Sequence, residues 1–280
     1  MKTQFVALIF FLSASVPLLA ERQLPTGYLA IPVLVSLSDG STGSGFYVSR
    51  SNYLYLATAR HVLFDPKTGS LKGTNATFVS HQDNGTNGGR SELRVDIAEL
   101  LKIKGIRAHA VHDVAVVRFA TLENSTNMGF DTRYVQLVTN TGPSVVPVRS
   151  ENLRRFSEVN VADDVYVFGY PSSIGLQQSP QFDYSKPLLR KGIIAGINDP
   201  GQTVVVDSAV YFGNSGGPVA VREQVNVFVT GFHVIGVVSE LIPFVDIWEN
   251  KRFGYTNANV SNSGYAVVEP VDFILELLWE

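Results

Sequence analysis

The stretch DSAVYFGNSGGPV, residues 207–219, decides how this chain is interpreted. It sets one serine, Ser215, among three glycines, at positions 213, 216 and 217. Glycine permits a positive φ and a close approach of the backbone, at an entropic cost. Three of them around one hydroxyl indicate that main-chain groups lie close to a reacting atom. A reacting serine also needs partners elsewhere in the chain.

The composition favours a folded protein that does not bind a polyanion. Of its 280 residues, 45% are hydrophobic and 17% are charged, and the net charge is −3. A nucleic-acid partner is not expected, because no basic patch is present. The absence of cysteine excludes disulfides, thiolate metal sites and a cysteine nucleophile. No histidine and carboxylate spacing is typical of a metal site, so neither a metal nor another cofactor is expected.

The first twenty residues differ from the rest of the chain. Lys2 is followed by the apolar runs FVALIFFL and SASVPLLA and then by the polar ERQ. This pattern predicts a signal peptide over residues 1–20, cleaved near Ala20, and a secreted or periplasmic protein. Leu18 is not the small residue preferred before such a cut, and an uncleaved anchor is the alternative. The run is short for a span of about 20 residues, which favours cleavage. No later segment reads as a membrane span.

Past residue 20 the sequence alternates between short apolar runs and turn-forming residues. The runs are rich in Val, Phe and Tyr and read as strands, so we expect an all-β fold. The length favours two barrel-like halves, residues 21–150 and 151–280, divided in the polar stretch 149–164. Only PVDFILELLWE, residues 270–280, has clear helical periodicity. RVDIAELLKI, residues 94–103, is ambiguous between strand and helix.

A serine hydroxyl is a weak nucleophile until a base takes its proton. His61 is the best candidate, because it follows an apolar strand in LATARHVLF, where a turn of small residues could direct it into a cleft. The other histidines fit less well, since they lie in a glycine- and asparagine-rich loop, beside a strand start or within an apolar strand: His81, His109, His112 and His233.

A carboxylate behind the base would orient it. Asp113 stands at the mouth of the apolar strand in HDVAVVRF, where it could accept a hydrogen bond from an imidazole. Asp96, in RVDIAEL, is the competitor because its local sequence is similar. Asp113 is preferred, since the strand after it is unbroken and β-branched. Asp207 is interpreted as a structural acid of the serine loop.

The motifs ATARH, HDVAVV and GNSGGP, in that order, resemble the chymotrypsin-fold (trypsin-like) serine peptidases. The closest resemblance is to the cysteine-free bacterial branch that includes the HtrA-type proteases. GSGFYVS, VYVFGYP, IGVVSE and GYAVVEP are similar to further segments of that branch. The resemblance spans residues 28–280, the peptidase domain without a PDZ extension. It implies two six-stranded Greek-key β-barrels and a short C-terminal helix.

The resemblance also implies a role for each candidate residue. His61 would be the general base, Asp113 its orienting carboxylate and Ser215 the nucleophile. The main-chain N–H groups of Gly213 and Ser215 would form the oxyanion hole. Many animal relatives have aspartate before the serine, paired with a new N-terminal amine. Asn214 occupies that position here, so activation by such an ion pair is not expected.

The specificity pocket implied by the resemblance has no aspartate at its floor. We therefore expect a small or medium apolar residue before the scissile bond. The implied pocket residues are Ala209, Val210, Phe212, Ser239, Glu240 and Leu241.

The sequence as a whole predicts a serine endopeptidase that forms an acyl-enzyme with protein or peptide substrates. Two alternatives stay open: a catalytically inert binding protein of the same fold, and an esterase. Because a base must be neutral to accept a proton, activity should fall below about pH 6 to 7. Nothing in the sequence indicates an oligomeric state.

Overall fold

The computed structural model describes residues 26–81, 89–123, 127–140, 145–172, 181, 183, 186–224 and 230–279. The predicted signal peptide lies outside these residues. Strands dominate the described chain, and the predicted all-β class is confirmed. No helix among the described residues is both long and apolar enough to cross a membrane.

The first half forms one curled, mostly antiparallel sheet with the strand order β6-β7-β3-β2-β1-β4-β5-β9. Two short strands pair beside this path, β10 with β2 and β8 with β7. The helices α1 (Arg60–Leu63) and α2 (Ile97–Lys102) follow β3 and β5. The strands are β1 (Pro32–Leu37), β2 (Thr42–Arg50), β3 (Tyr53–Thr58), β4 (Asn75–His81), β5 (Arg90–Asp96), β6 (Ile106–Ala108), β7 (Ala115–Glu123), β8 (Asn127–Gly129), β9 (Val135–Asn140) and β10 (Val148–Arg149).

This sheet differs in detail from the expected six-stranded barrel. It contains ten strands, and the ends of its strand path do not pair with each other. The reason lies in β7 and β5: β7 pairs with β3, β6 and β8, while β5 pairs with β4 and β9. β6 and β9 therefore form the two ends of the strand path, and the sheet curls as a half-barrel.

The ambiguous segment 94–103 is strand first and helix afterwards. β5 ends at Asp96, and α2 begins at the next residue. The Asp96 side chain accepts a hydrogen bond from the main-chain N–H of Glu99 (2.9 Å), which satisfies one of the free N–H groups of the first turn. A capping aspartate therefore sets the boundary.

The second half is a closed barrel of six strands with the order β11-β12-β13-β16-β15-β14. The last three strands therefore close onto the first three in a Greek-key arrangement, as expected. The strands are β11 (Asp164–Gly169), β12 (Leu188–Asn198), β13 (Thr203–Asp207), β14 (Pro218–Gln224), β15 (Thr230–Asn250) and β16 (Tyr255–Pro270). Short 3₁₀ helices occupy Thr26–Ala30, Ser150–Asn152 and Phe156–Glu158.

The C-terminal helix α3 (Val271–Leu277) fastens the two halves together. Trp279, just after it, stacks on Tyr55 of β3, with ring centroids 5.8 Å apart. The Arg107 guanidinium lies 3.7 Å over the same indole ring. One apolar cluster contains residues of both halves and of α3: Phe46, Tyr55, Val116, Phe168, Val234, Val237, Phe273 and Ile274. α3 and Trp279 therefore pack against residues of both halves and hold them together.

Candidate active site

His61 lies in the first turn of α1, directly after β3 leaves the sheet. Its main-chain N–H donates to Asp113 Oδ1 (2.9 Å), and its Nδ1 lies 2.6 Å from Asp113 Oδ2. The Arg60 N–H donates to the main-chain oxygen of Asp113 (3.1 Å). Asp113 therefore holds both the backbone and the ring of His61. A ring that donates from Nδ1 keeps Nε2 as its acceptor, the form a general base needs.

The Asp113 carboxylate is itself held by a second donor. Ser239 Oγ donates to Asp113 Oδ2 (2.7 Å). Burial alone would raise the pKa of Asp113, but the hydrogen bonds from His61 and Ser239 and the His61 charge outweigh it, so its pKa lies below the ordinary value. The carboxylate stays ionised. The sequence assigned Ser239 only to the pocket and missed this contact.

Glu269 of β16 holds the loop that carries Asp113. It is buried, and its Oε2 lies 2.9 Å from Nδ1 of His112. Its Oε1 accepts from the main-chain N–H of Asp113 at 3.4 Å. His112 also stacks on Phe273 of α3, with ring centroids 3.4 Å apart. The C-terminal barrel therefore positions an acid that belongs to the N-terminal half. No local sequence pattern predicts this contact.

The remaining candidates lie away from His61. Asp96 caps α2, and Asp207 is exposed at the end of β13. His81 is the last residue of β4, and His109 Nδ1 accepts from the main-chain N–H of His112. His233 pairs with Glu223. Among the described residues, no group of three histidine or carboxylate side chains could hold a metal ion.

The glycines of the serine loop have a steric cause. Gly213 has φ +94°, and a Cβ there would lie 2.3 Å from the main-chain oxygen of Tyr170. Gly216 has φ +82°, and its Cβ would lie 2.2 Å from the main-chain oxygen of Ser44. Any other residue would be strained by its φ and would collide with backbone. The two glycines let the loop pack tightly around Ser215.

The main-chain N–H groups of this loop divide into two sets. Those of Asn214, Gly216 and Gly217 each donate to a main-chain oxygen at 2.7–2.9 Å. Those of Gly213 and Ser215 donate to no group in the described part of the chain. An oxyanion hole requires two such free main-chain N–H donors beside the nucleophile, and here one of them belongs to Ser215 itself.

The Ser215 hydroxyl points toward the neighbouring strand. Ser215 Oγ donates to the main-chain oxygen of Ser239 (3.3 Å). No hydrogen bond within the described residues joins it to His61, although both residues line the same cavity. Transfer of the hydroxyl proton to His61 therefore requires the hydroxyl to turn away from Ser239.

Ser44 of β2 links the N-terminal sheet to the serine loop. It is fully buried, and its N–H donates to the main-chain oxygen of Ser215 (2.8 Å). Its Oγ donates to the main-chain oxygen of Gly213 (2.6 Å) and accepts from the Tyr170 N–H (2.9 Å). One hydroxyl thus fixes the orientation of the peptide group that follows Gly213.

Ser44→Ala should weaken both the fold and turnover. It leaves a buried carbonyl and a buried N–H unpaired, which costs about 1–3 kcal/mol for each group. We expect a Tm lower by several degrees and a kcat lower by about tenfold, since the loop loses its support. Thermal unfolding and peptide hydrolysis measure these effects. Ser41→Ala, at a partly exposed position just before the same strand, is the matched control. A Ser44→Ala protein with wild-type Tm and kcat would contradict this role.

A cavity of about 610 Å³ opens beside His61 and Ser215. Five of the six expected pocket residues line it, and Ala209 does not. Val210 is buried in its wall, whereas Phe212 is 72% exposed. The described residues that line it are His61, Pro66, Val111, Asp113, Val210, Tyr211, Phe212, Ser215, Val238, Ser239, Glu240, Leu241 and Glu269. Pro66, Val111, Tyr211, Val238 and Glu269 were not expected.

A family model described as a trypsin-like peptidase domain matches residues 43–235, which include His61, Asp113 and Ser215. The chain belongs to the trypsin-like peptidase family. The predicted double β-barrel architecture agrees with that membership. A search of curated protein sequences finds no match to this chain.

Solved structures of the trypsin-like peptidase fold are similar over nearly the whole chain. Human heparin binding protein is 10% identical, with a TM-score of 0.50, and the match covers 91% of this chain and 92% of that one. A thermostable serine protease from an extremophilic microorganism is 16% identical, with a TM-score of 0.48 and coverage of 90% and 96%. At such identities, the likeness to human heparin binding protein shows the fold alone.

Proposed function

We propose that the chain is a serine endopeptidase that cleaves peptide bonds through an acyl-enzyme at Ser215. The observation that carries the proposal is the pair of hydrogen bonds between Asp113 and His61. The carboxylate binds both the backbone and the ring of His61, beside a cavity that Ser215 also lines. Membership of the trypsin-like peptidase family supports the same chemistry.

In the proposed reaction, Ser215 Oγ attacks the scissile carbonyl carbon and its proton passes to His61 Nε2. The carbonyl oxygen becomes an oxyanion that accepts from the free N–H groups of Gly213 and Ser215. Collapse of this intermediate breaks the C–N bond, and His61 returns the proton to the leaving amine. Water then attacks the acyl-enzyme by the same route, which releases the acid and restores Ser215. Asp113 remains ionised and stabilises the imidazolium.

The cavity favours small or medium apolar side chains before the scissile bond. Val210 and Val238 lie buried in its lining, with Leu241 beside them. Of the three carboxylates in its described lining, Asp113 binds His61, Glu269 binds His112 and Glu240 is exposed.

Cleavage-site profiling with a peptide library tests this preference. We expect cuts after residues such as alanine and valine, because an apolar side chain gains by burial against the valines. Among the described lining residues, Glu240 is the one carboxylate left to pair with a lysine or arginine, and an ion pair with an exposed carboxylate contributes little. Predominant cleavage after arginine or lysine would overturn the preference.

We also propose that residues 1–20 direct export to the periplasm or the cell exterior and are then removed. The support is the sequence pattern described above. Mass spectrometry of the exported protein should give a chain that begins near Glu21. A chain that retains residues 1–20 in the membrane fraction would overturn this proposal.

The peptidase must be distinguished from an esterase and from an inert binding protein of the same fold. Wild-type and Ser215→Ala protein are incubated with a peptide library and, separately, with an activated ester. We expect wild-type protein to cleave both and the variant to cleave neither. Ester cleavage without peptide cleavage would assign an esterase, and no cleavage of either would assign a binding protein.

A further inference from the structure

Beyond the barrel, β15 and β16 continue as a two-stranded hairpin, residues 243–262, here called the ribbon. Pairing runs from Pro243 opposite Asn262 to Asn250 opposite Tyr255. The connecting turn is well defined, because Asn250 Oδ1 accepts from the main-chain N–H of Phe253 (3.1 Å). The ribbon is therefore an ordered extension of the barrel.

Both faces of the ribbon expose apolar side chains. Residues that lie opposite each other share a face, and side chains alternate between faces along each strand. One face is largely aliphatic, whereas the other carries aromatic side chains among polar residues such as Asp246, Asn257 and Asn259. Their main side chains, 47–65% exposed, are Val245, Ile247 and Val260 on the first face and Phe244, Trp248 and Tyr255 on the second. The aliphatic face is contiguous, because Val245 lies opposite Val260 and Ile247 opposite Ala258, and such a surface on so thin an element is typical of a binding surface.

The ribbon is fastened to the cavity. Asn262 Nδ2 donates to the main-chain oxygen of Val210 (2.6 Å), which lines the cavity. Ser263 Oγ donates to the main-chain oxygen of Ile242 (2.5 Å) and so joins the two strands at the base of the ribbon. β15 itself passes from the cavity wall at Ser239 into the ribbon. At about 3.3 Å per residue, Phe244 lies within roughly 17 Å of Ser239 along the strand. An extended substrate would span that distance with five or six residues.

We propose that the ribbon binds an extended, unfolded stretch of the substrate polypeptide, with apolar side chains at alternate positions, outside the cavity. This inference rests on the proposed peptidase function. The occupant is inferred to be the substrate because β15 forms both the cavity wall and the first strand of the ribbon, so a chain bound in the cavity can continue along the ribbon. Substrates that reach the ribbon gain affinity, so the enzyme prefers long unfolded chains to short peptides.

The charge and area of the ribbon argue against other occupants. Its charges balance, with Asp246 and Glu249 against Lys251 and Arg252, so it does not favour a polyanionic surface. Its aliphatic face exposes on the order of a few hundred Å², well below the roughly 800 Å² per partner of a stable dimer. A neutral apolar chain fits both features.

The test compares three quenched fluorescent peptides. The first is a short apolar core, and the other two carry the same core extended at both ends by about eight residues of alternating Val–Ser or Gly–Ser. We expect the Val–Ser peptide to show a kcat/KM about tenfold above the Gly–Ser peptide, mainly through KM. The Val245→Ala/Ile247→Ala double variant, which removes the aliphatic face, should lose this gain and still cleave the core normally. Val161→Ala, an exposed apolar position outside the ribbon and the cavity, should keep it.

Two results would overturn the proposal. One is equal kcat/KM for both extended peptides with wild-type protein. The other is a dimer in sedimentation experiments that the double variant dissociates, which would assign the ribbon to a second copy of the chain. Matched Tm values show that the variants are folded. If wild-type protein cleaves no core peptide, the peptidase function fails. Fluorescence anisotropy with Ser215→Ala protein then still tests whether the ribbon binds an apolar peptide, since the Val–Ser peptide should bind more tightly than the Gly–Ser peptide.

Discussion

Ser215→Ala is expected to reduce peptide hydrolysis by about 10⁶-fold and to leave the fold intact. Alanine has no oxygen to attack the carbonyl, so the acyl-enzyme cannot form. The structural loss is small, because within the described residues the hydroxyl makes a single hydrogen bond, the 3.3 Å bond to the main-chain oxygen of Ser239. We therefore expect a Tm close to that of wild-type protein. The measurements are kcat/KM with the best peptide and thermal unfolding.

Ser70→Ala, at an exposed position away from the cavity, serves as the matched control and should keep full activity. Residual hydrolysis by Ser215→Ala above about one per cent of wild type would mean that another group is the nucleophile.

Asp113→Asn should lower kcat by about 10⁴-fold. The asparagine amide can donate to His61 Nδ1, which favours the tautomer that carries the proton on Nε2. That tautomer cannot accept the Ser215 proton, and the neutral amide does not stabilise an imidazolium. Turnover of the same peptide by the purified variant gives the size of the loss.

Asp96→Asn separates the two carboxylates that the sequence left in competition. Asp96 caps α2 and touches no residue of the cavity, so its variant should affect stability slightly and turnover hardly at all. Loss of turnover in Asp96→Asn, with normal turnover in Asp113→Asn, would reverse the assignment of the orienting acid.

Asp113 also makes stability depend on pH. Its pKa is lowered in the folded protein relative to the unfolded value of 3.8, so its contribution is fully present above that value and is lost as pH falls through the lowered pKa. The Tm difference between wild-type and Asp113→Asn protein should therefore shrink below about pH 4. A difference that stays constant to pH 2 would show that the carboxylate charge contributes nothing to stability.

The local features of this fold were predictable because they are encoded in adjacent residues. Strands follow from alternating β-branched and aromatic residues, and α3 follows from apolar periodicity over residues 270–280. The glycines around Ser215 signal steric constraints that the loop satisfies at Gly213 and Gly216. Such patterns require no knowledge of distant partners.

The features that escaped prediction depend on contacts between distant residues. Ser44 binds Gly213 across 169 positions, and Glu269 reaches Asp113 across 156. The ten-stranded first sheet depends on pairings between strands that are distant in sequence, such as β5 with β9, which local propensity does not specify. The ribbon was not predicted, because the alternation of residues along a strand does not reveal where two paired strands leave the barrel.

Labelling of the full chain with a fluorophosphonate probe tests the central claim most directly. The probe forms a phosphonyl ester with an activated serine oxygen and releases fluoride, so it needs no knowledge of the natural substrate. The account predicts stoichiometric labelling at Ser215 in wild-type protein, none in Ser215→Ala, and strongly slowed labelling in His61→Ala. Folded wild-type protein that is not labelled, or labelling that persists in Ser215→Ala, would contradict the claim that His61 and Asp113 activate Ser215.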